Sequence, residues 1–64
     1  MKKPFASELQ QLPFTARMEL KQTIRTELNL KPRSMEMFVY GRVNLTPLTE
    51  KFIRSLFAQH GIKW

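Results

Sequence analysis

A chain of 64 residues is long enough for one small domain and too short for two. Its lack of cysteine excludes disulfide bridges and thiolate metal sites, and its one histidine excludes a histidine metal cluster. Eleven lysines and arginines against five acidic residues give a net charge of +6, which favours a polyanionic partner. No apolar run approaches the ~20 residues that cross a bilayer, so we expect a cytoplasmic protein without a membrane partner.

The first predicted helix runs from about Ser7 to Leu12. Serine is a residue type that caps helix N-termini, and Gln10, three positions after Ser7, completes a capping box. Pro13 ends this helix, because the residue before a proline is driven out of the helical conformation.

The second predicted helix runs from about Ala16 to Leu28, with Thr15 as its N-cap. Asn29 ends it, because asparagine tolerates the left-handed conformation that closes many helices. Apolar residues recur at every fourth position, which is one helix face: Leu20, Ile24 and Leu28.

The third predicted helix begins at Pro32, since proline suits the first helical position, and runs to about Tyr40. Leu30 precedes it as an apolar anchor. Gly41 closes it in the position where a left-handed residue is needed. Three residues share its apolar face: Met35, Phe38 and Val39.

The fourth helix has the strongest signals, because Thr46 supplies a capping hydroxyl and Pro47 suits the first helical position. The helix follows a loop over 42–45 and ends before Gly61, where Ile62 provides the apolar contact of a Schellman motif. Its apolar stripe consists of Leu48, Phe52, Ile53, Leu56 and Phe57. These patterns predict an all-α fold, a compact bundle of four helices in one domain over residues 1–64.

Side chains are assigned to core and surface from the same patterns. We expect four of them in the core: Met35, Phe38, Leu56 and Phe57. Three aromatic residues lie outside the helical stripes, where they are expected to form a dimer surface or a site for another partner: Phe5, Phe14 and Trp64.

A helix, a short turn and a second short helix occupy residues Leu20 to Gly41, as a helix-turn-helix requires. In that motif the second helix enters the major groove of DNA and the first crosses the phosphate backbone. The turn needs a residue that accepts a left-handed conformation, here Asn29, followed by an apolar residue. Inner positions are assigned to Leu28, Leu30, Met35 and Phe38.

This segment resembles the phage repressor and Cro family of helix-turn-helix domains. In that family the turn glycine and the glycine that ends the recognition helix are commonly twelve residues apart, as Asn29 and Gly41 are here. The resemblance covers roughly Leu20 to Ile62 and implies a repressor-like bundle. Arg25 departs from the small alanine of many members; we expect it at the rim, where it reaches a phosphate, and an inward orientation would contradict the motif. Lys31 departs from the usual Ser or Thr cap. Ser34 is an alternative cap, which would shorten the recognition helix.

The motif implies a set of DNA contacts. Arg33 matches the two acceptors of guanine, and Glu36 either accepts from cytosine N4 or pairs with Arg33. Lys21, Gln22 and Arg25 contact phosphates or form a solvated face, and Tyr40 contacts a phosphate or completes the core. The full candidate set is Lys21, Gln22, Arg25, Lys31, Arg33, Ser34, Glu36, Met37, Tyr40 and Arg42.

The sequence thus predicts sequence-specific binding of double-stranded DNA by a transcriptional regulator, acting as a homodimer. The alternatives are a small helical protein-interaction module and a non-specific nucleic-acid binder. No nucleophile, base and acid group together, so we expect no enzyme activity, no cofactor, no metal and no small-molecule ligand.

Overall fold

The computed structural model describes residues 2–64, and this part of the chain forms four α-helices and no strand. The prediction of an all-helical fold with four helices is confirmed. None of the helices has both the length and the apolar character needed to span a membrane over these residues. The helices are α1 (Ala6–Gln10), α2 (Phe14–Leu28), α3 (Pro32–Val39) and α4 (Pro47–Ala58).

The first two helices begin earlier than predicted, and the assignment of Ser7 and Thr15 as N-caps is wrong. Both residues lie inside their helices, whose N-caps are Phe5 and Pro13. The carbonyls of Phe5 and Pro13 accept backbone hydrogen bonds from the residues four positions further on, at 3.0 and 2.9 Å. Phe5 is held in place by its burial and by its own N–H, which donates to the Val39 carbonyl at 2.9 Å. Tertiary packing therefore decides where α1 begins.

The fourth helix begins as predicted. The Thr46 hydroxyl accepts the backbone N–H of Thr49 at 3.2 Å, and Pro47 is the first helical residue. This bond satisfies one of the donors that every helix N-terminus leaves without an intrahelical partner.

Three helices end in the same way, with a residue in the left-handed region. Asn29, Gly41 and Gly61 have φ values of 53°, 69° and 73°. In each case the next N–H bonds the carbonyl five residues back, at 2.9, 2.8 and 3.0 Å, as in a Schellman motif. The predicted left-handed positions are therefore confirmed, although α3 ends at Val39 rather than Tyr40.

The core draws on every part of the chain. Met35 and Phe57 are buried as predicted, whereas Phe38 and Leu56 are only half-buried. Leu48 is 81% exposed, so its assignment to the α4 stripe is wrong. The buried side chains are Phe5, Leu9, Leu12, Leu20, Ile24, Met35, Val39, Leu45, Ile53 and Phe57.

An aromatic cluster joins the two ends of the chain. The Phe5 ring meets Phe57 and Trp64 edge-on, at centroid distances of 5.8 and 5.5 Å. The Trp64 indole N–H donates to the Pro4 carbonyl at 3.0 Å. A Cβ at Gly41 would lie 2.8 Å from the Pro4 nitrogen, so glycine is required where the chain passes Pro4. The prediction that Phe5 belongs to a dimer surface is wrong because Phe5 is fully buried, and Trp64 is half-buried against it.

Candidate nucleic-acid interface

Residues 29–31 connect α2 to α3. Lys31 is the N-cap of α3 in an extended conformation, with φ −78° and ψ 159°, and makes no side-chain capping bond. Pro32 supplies the first helical residue as predicted. Ser34 lies inside the helix, so the alternative start at Ser34 is wrong. The helix therefore keeps its first turn, and Arg33 lies in that turn.

The outer face of α3 carries four exposed side chains, which we call the α3 stripe. They lie at positions i, i+3, i+4 and i+7, and therefore share one face of the helix. The opposite face is buried through Met35 and Val39. Tyr40 is 62% exposed, so it does not complete the core. The α3 stripe consists of Arg33, Glu36, Met37 and Tyr40.

Two depressions meet along this stripe. The α2–α3 groove, of about 220 Å³, is lined by Lys21, Arg25, Pro32, Met35, Glu36, Val39 and Tyr40. The outer cleft, of about 310 Å³, is lined by Arg33, Glu36, Met37, Tyr40 and Arg42. Glu36 and Tyr40 line both, so a continuous surface runs from α2 across α3 to Arg42. Seven of the ten predicted DNA-contact residues lie on it.

The other three predicted residues are placed apart from both depressions. Gln22 lies between Lys21 and Arg25 in α2 and is exposed outside both depressions, and its amide donates to the Thr26 hydroxyl at 3.5 Å. Lys31 is exposed at the turn and Ser34 is half-buried within α3, and neither lines the groove or the cleft.

The cations of this surface have no acidic partner among residues 2–64. Both ion pairs in that part of the chain involve Glu50, which contacts Lys3 at 3.9 Å and also Arg54. The proposed pair between Arg33 and Glu36 is therefore not formed. Five side chains that carry positive charge are left uncompensated around the turn and α3: Lys21, Arg25, Lys31, Arg33 and Arg42.

Two other arginines, Arg17 and Arg54, donate hydrogen bonds to backbone carbonyls, unlike Arg25. Arg17 donates to the carbonyls of Leu9 and Leu12, at 3.2 and 3.3 Å, and so ties the end of α1 to α2. Arg54 donates to the Trp64 carbonyl at 3.1 Å. Arg25 behaves differently: it is half-buried, and its Nε is a buried donor without an acceptor among residues 2–64.

Sequence reasoning did not identify an exposed apolar stripe on α2. Phe14 is 72% exposed and Met18 is 52% exposed. With Lys21 and Arg25 they follow spacings of four, three and four residues, so all four share one side of α2. Helical spacing would have revealed this stripe had α2 been predicted to begin at Phe14 rather than Ala16.

No family model, curated protein or solved structure matches the chain. The resemblance to helix-turn-helix domains accordingly rests on the residues quoted above. Function has to be argued from the chemistry of the surface.

Proposed function

We propose that this domain binds double-stranded DNA in a sequence-specific manner, as a cytoplasmic transcriptional regulator. In this proposal α3 enters the major groove and α2 crosses the phosphate backbone. The observation that carries the proposal is the α3 stripe, an exposed helical face bordered by uncompensated cations. An α-helix fits the major groove, where each base pair presents a distinct pattern of donors and acceptors.

Three of the four side chains of the stripe have a counterpart on base edges. The Arg33 guanidinium matches the two acceptors of guanine, and the Glu36 carboxylate accepts from the amino group of cytosine. Met37 offers an apolar contact for the methyl group of thymine. Lys21, Lys31 and Arg42 are left to contact phosphates, which fixes the register of the helix without reading sequence.

The same stripe favours this proposal over its two alternatives. A carboxylate in the middle of a basic surface repels phosphate, so Glu36 is better suited to base readout than to non-specific binding. A protein-interaction module built on Phe5, Phe14 and Trp64 together is less favoured, because Phe5 is buried and Trp64 packs against it, which leaves Phe14 as the one exposed member of the three.

A contrast between two substitutions tests the proposal. Arg33→Ala is expected to weaken binding to a selected DNA site by about 1–3 kcal/mol and to relax the preference at one base position. Lys21→Ala is expected to weaken all DNA sequences about equally, because a phosphate contact carries no base information. Each variant is titrated with the selected site and with random DNA. If Arg33→Ala weakens both DNAs equally while Lys21→Ala changes the preference, α2 and α3 have been assigned the wrong way round.

We also propose that two copies bind one DNA site, since a recognition helix of eight residues contacts few base pairs. Phe14 and Met18 supply the contact between copies. These two side chains fall far short of the roughly 1,200–2,000 Å² that a stable interface buries. Dimerisation therefore depends on DNA, which also neutralises the repulsion between two chains of net charge +6.

Sedimentation measures this stoichiometry. The free domain is expected to sediment as a monomer, and the complex to contain two copies per site. Phe14→Ser should reduce the complex to one copy. Leu48→Ser is the matched control, because Leu48 is at least as exposed as Phe14 but lies on α4. One wild-type copy per site contradicts the proposal.

A further inference from the structure

The outer cleft brings together a free carboxylate and an apolar side chain from consecutive residues of α3. Glu36 is exposed and forms no ion pair among residues 2–64, so its carboxylate is available as an acceptor. Met37 is 40% exposed and lines the same cleft, whose volume is about 310 Å³. A hydrogen-bond acceptor and an apolar contact therefore border one space on the outer face of α3.

The two side chains start close enough together to contact one base pair. Neighbouring Cα atoms lie about 3.8 Å apart along the chain. Base pairs are stacked at about the same spacing, since each DNA strand carries one phosphate per about 3.4 Å of the duplex axis. Because Glu36 and Met37 also line the same cleft, we treat them as one reading unit.

Neither of the two common pyrimidines satisfies both side chains. Cytosine donates from its N4 amino group but carries no methyl group on the adjacent C5 atom. Thymine carries that methyl group but presents the O4 acceptor beside it, which the Glu36 carboxylate repels. A methyl group next to an amino donor is found on 5-methylcytosine.

We infer that Glu36 and Met37 together read one 5-methylcytosine, so that the domain prefers DNA methylated at that position. The carboxylate accepts from N4, and the Met37 side chain contacts the methyl group on C5. This inference rests on the proposed DNA-binding function, and it names the chemical form of DNA that α3 selects.

Replacement of single pyrimidines in the selected DNA site tests the inference. Each cytosine of the site is changed in turn to 5-methylcytosine and to thymine, with the matching base opposite. At one cytosine, methylation should raise affinity about three- to tenfold, as burial of a methyl group predicts. Thymine at the same position should lower affinity about 5- to 150-fold, because the carboxylate then meets an acceptor.

Two substitutions in the cleft separate the methyl contact from the amino contact. Met37→Ala should remove the gain from methylation and keep the preference for cytosine over thymine. Glu36→Gln should keep the gain and reduce that preference, because a glutamine amide donates as well as accepts and so tolerates O4 of thymine. Leu48→Ala, which shortens an exposed apolar side chain on α4, is the matched control and should change neither ratio.

Fluorescence anisotropy with the labelled duplexes measures these ratios, and its outcomes separate this inference from the proposed function. If no duplex binds, the proposed function fails. Sequence-specific binding in which no cytosine gains affinity on methylation overturns the inference alone. A gain that persists in Met37→Ala also overturns it, because another side chain then contacts the methyl group. Thymine bound as tightly as 5-methylcytosine overturns it as well, since the methyl group is then read without the Glu36 carboxylate.

Discussion

Phe57→Ala is expected to lower the free energy of unfolding by about 3–5 kcal/mol, the range for truncating a buried aromatic residue. Phe57 has no exposed surface, and its ring packs against Phe5 at 5.8 Å and Trp64 at 6.2 Å. Truncation leaves a cavity between α4 and both ends of the chain. A domain of this length has a total stability of about 3–10 kcal/mol, so most of the molecules could unfold.

The neighbouring residue provides a matched control. Leu56 is half-buried on the same helix, and Leu56→Ala should cost about 1–2 kcal/mol, because less apolar surface is removed from contact. Urea unfolding followed by helical circular dichroism measures both variants. Fluorescence of Trp64, the single tryptophan, reports the aromatic cluster directly. Equal losses for the two variants would mean that the core is not centred on Phe57.

Local rules account for what could be predicted from the sequence. The start of α4 follows from Thr46 and Pro47, whose chemistry acts within one turn of the helix. The left-handed conformations of Asn29, Gly41 and Gly61 follow from residue type in the same way. These signals depend on neighbours in the chain, yet the equally local capping signals of Ser7 and Thr15 do not hold in the folded protein.

Packing between distant segments accounts for what could not be predicted. Phe5 is buried because it meets Trp64, which lies 59 residues further along the chain, and no periodic pattern links the two. Leu48 has the spacing of the α4 stripe, yet Leu45 in the preceding loop is buried while Leu48 faces solvent. Periodicity identifies the face of a helix, but it does not tell which turns of that face meet the core.

Some residues of the candidate site could likewise be predicted from the sequence, and others could not. The α3 stripe follows from helical period, so Arg33, Glu36 and Tyr40 could be grouped from the sequence. The sequence places Arg25 at the rim of the motif, but its burial depends on how closely α2 and α3 approach. The structure places Arg25 half-buried in the groove with an unsatisfied Nε, which a sequence pattern does not reveal.

DNA affinity is expected to fall steeply with salt, because this surface carries positive charge without acidic partners. About four to six phosphate contacts per subunit give a slope of log affinity against log salt of about −3.5 to −5.5. Affinity should therefore fall roughly 100-fold to 2,000-fold between about 50 and about 200 mM salt. Random DNA should show a comparable slope at lower affinity, since the electrostatic contribution does not depend on sequence.

Single charge removals locate this effect on the surface. Arg42→Gln, at the edge of the outer cleft, should flatten the slope by about 0.9, the release expected for one phosphate contact. Lys51→Gln removes the same charge from α4 and should leave the slope unchanged, although both variants have the same net charge. Fluorescence anisotropy with labelled duplex DNA over a series of salt concentrations measures the slopes. Equal flattening by both variants would show that net charge, rather than the surface around α3, drives binding, and a slope near zero for the wild type would exclude phosphate contacts altogether.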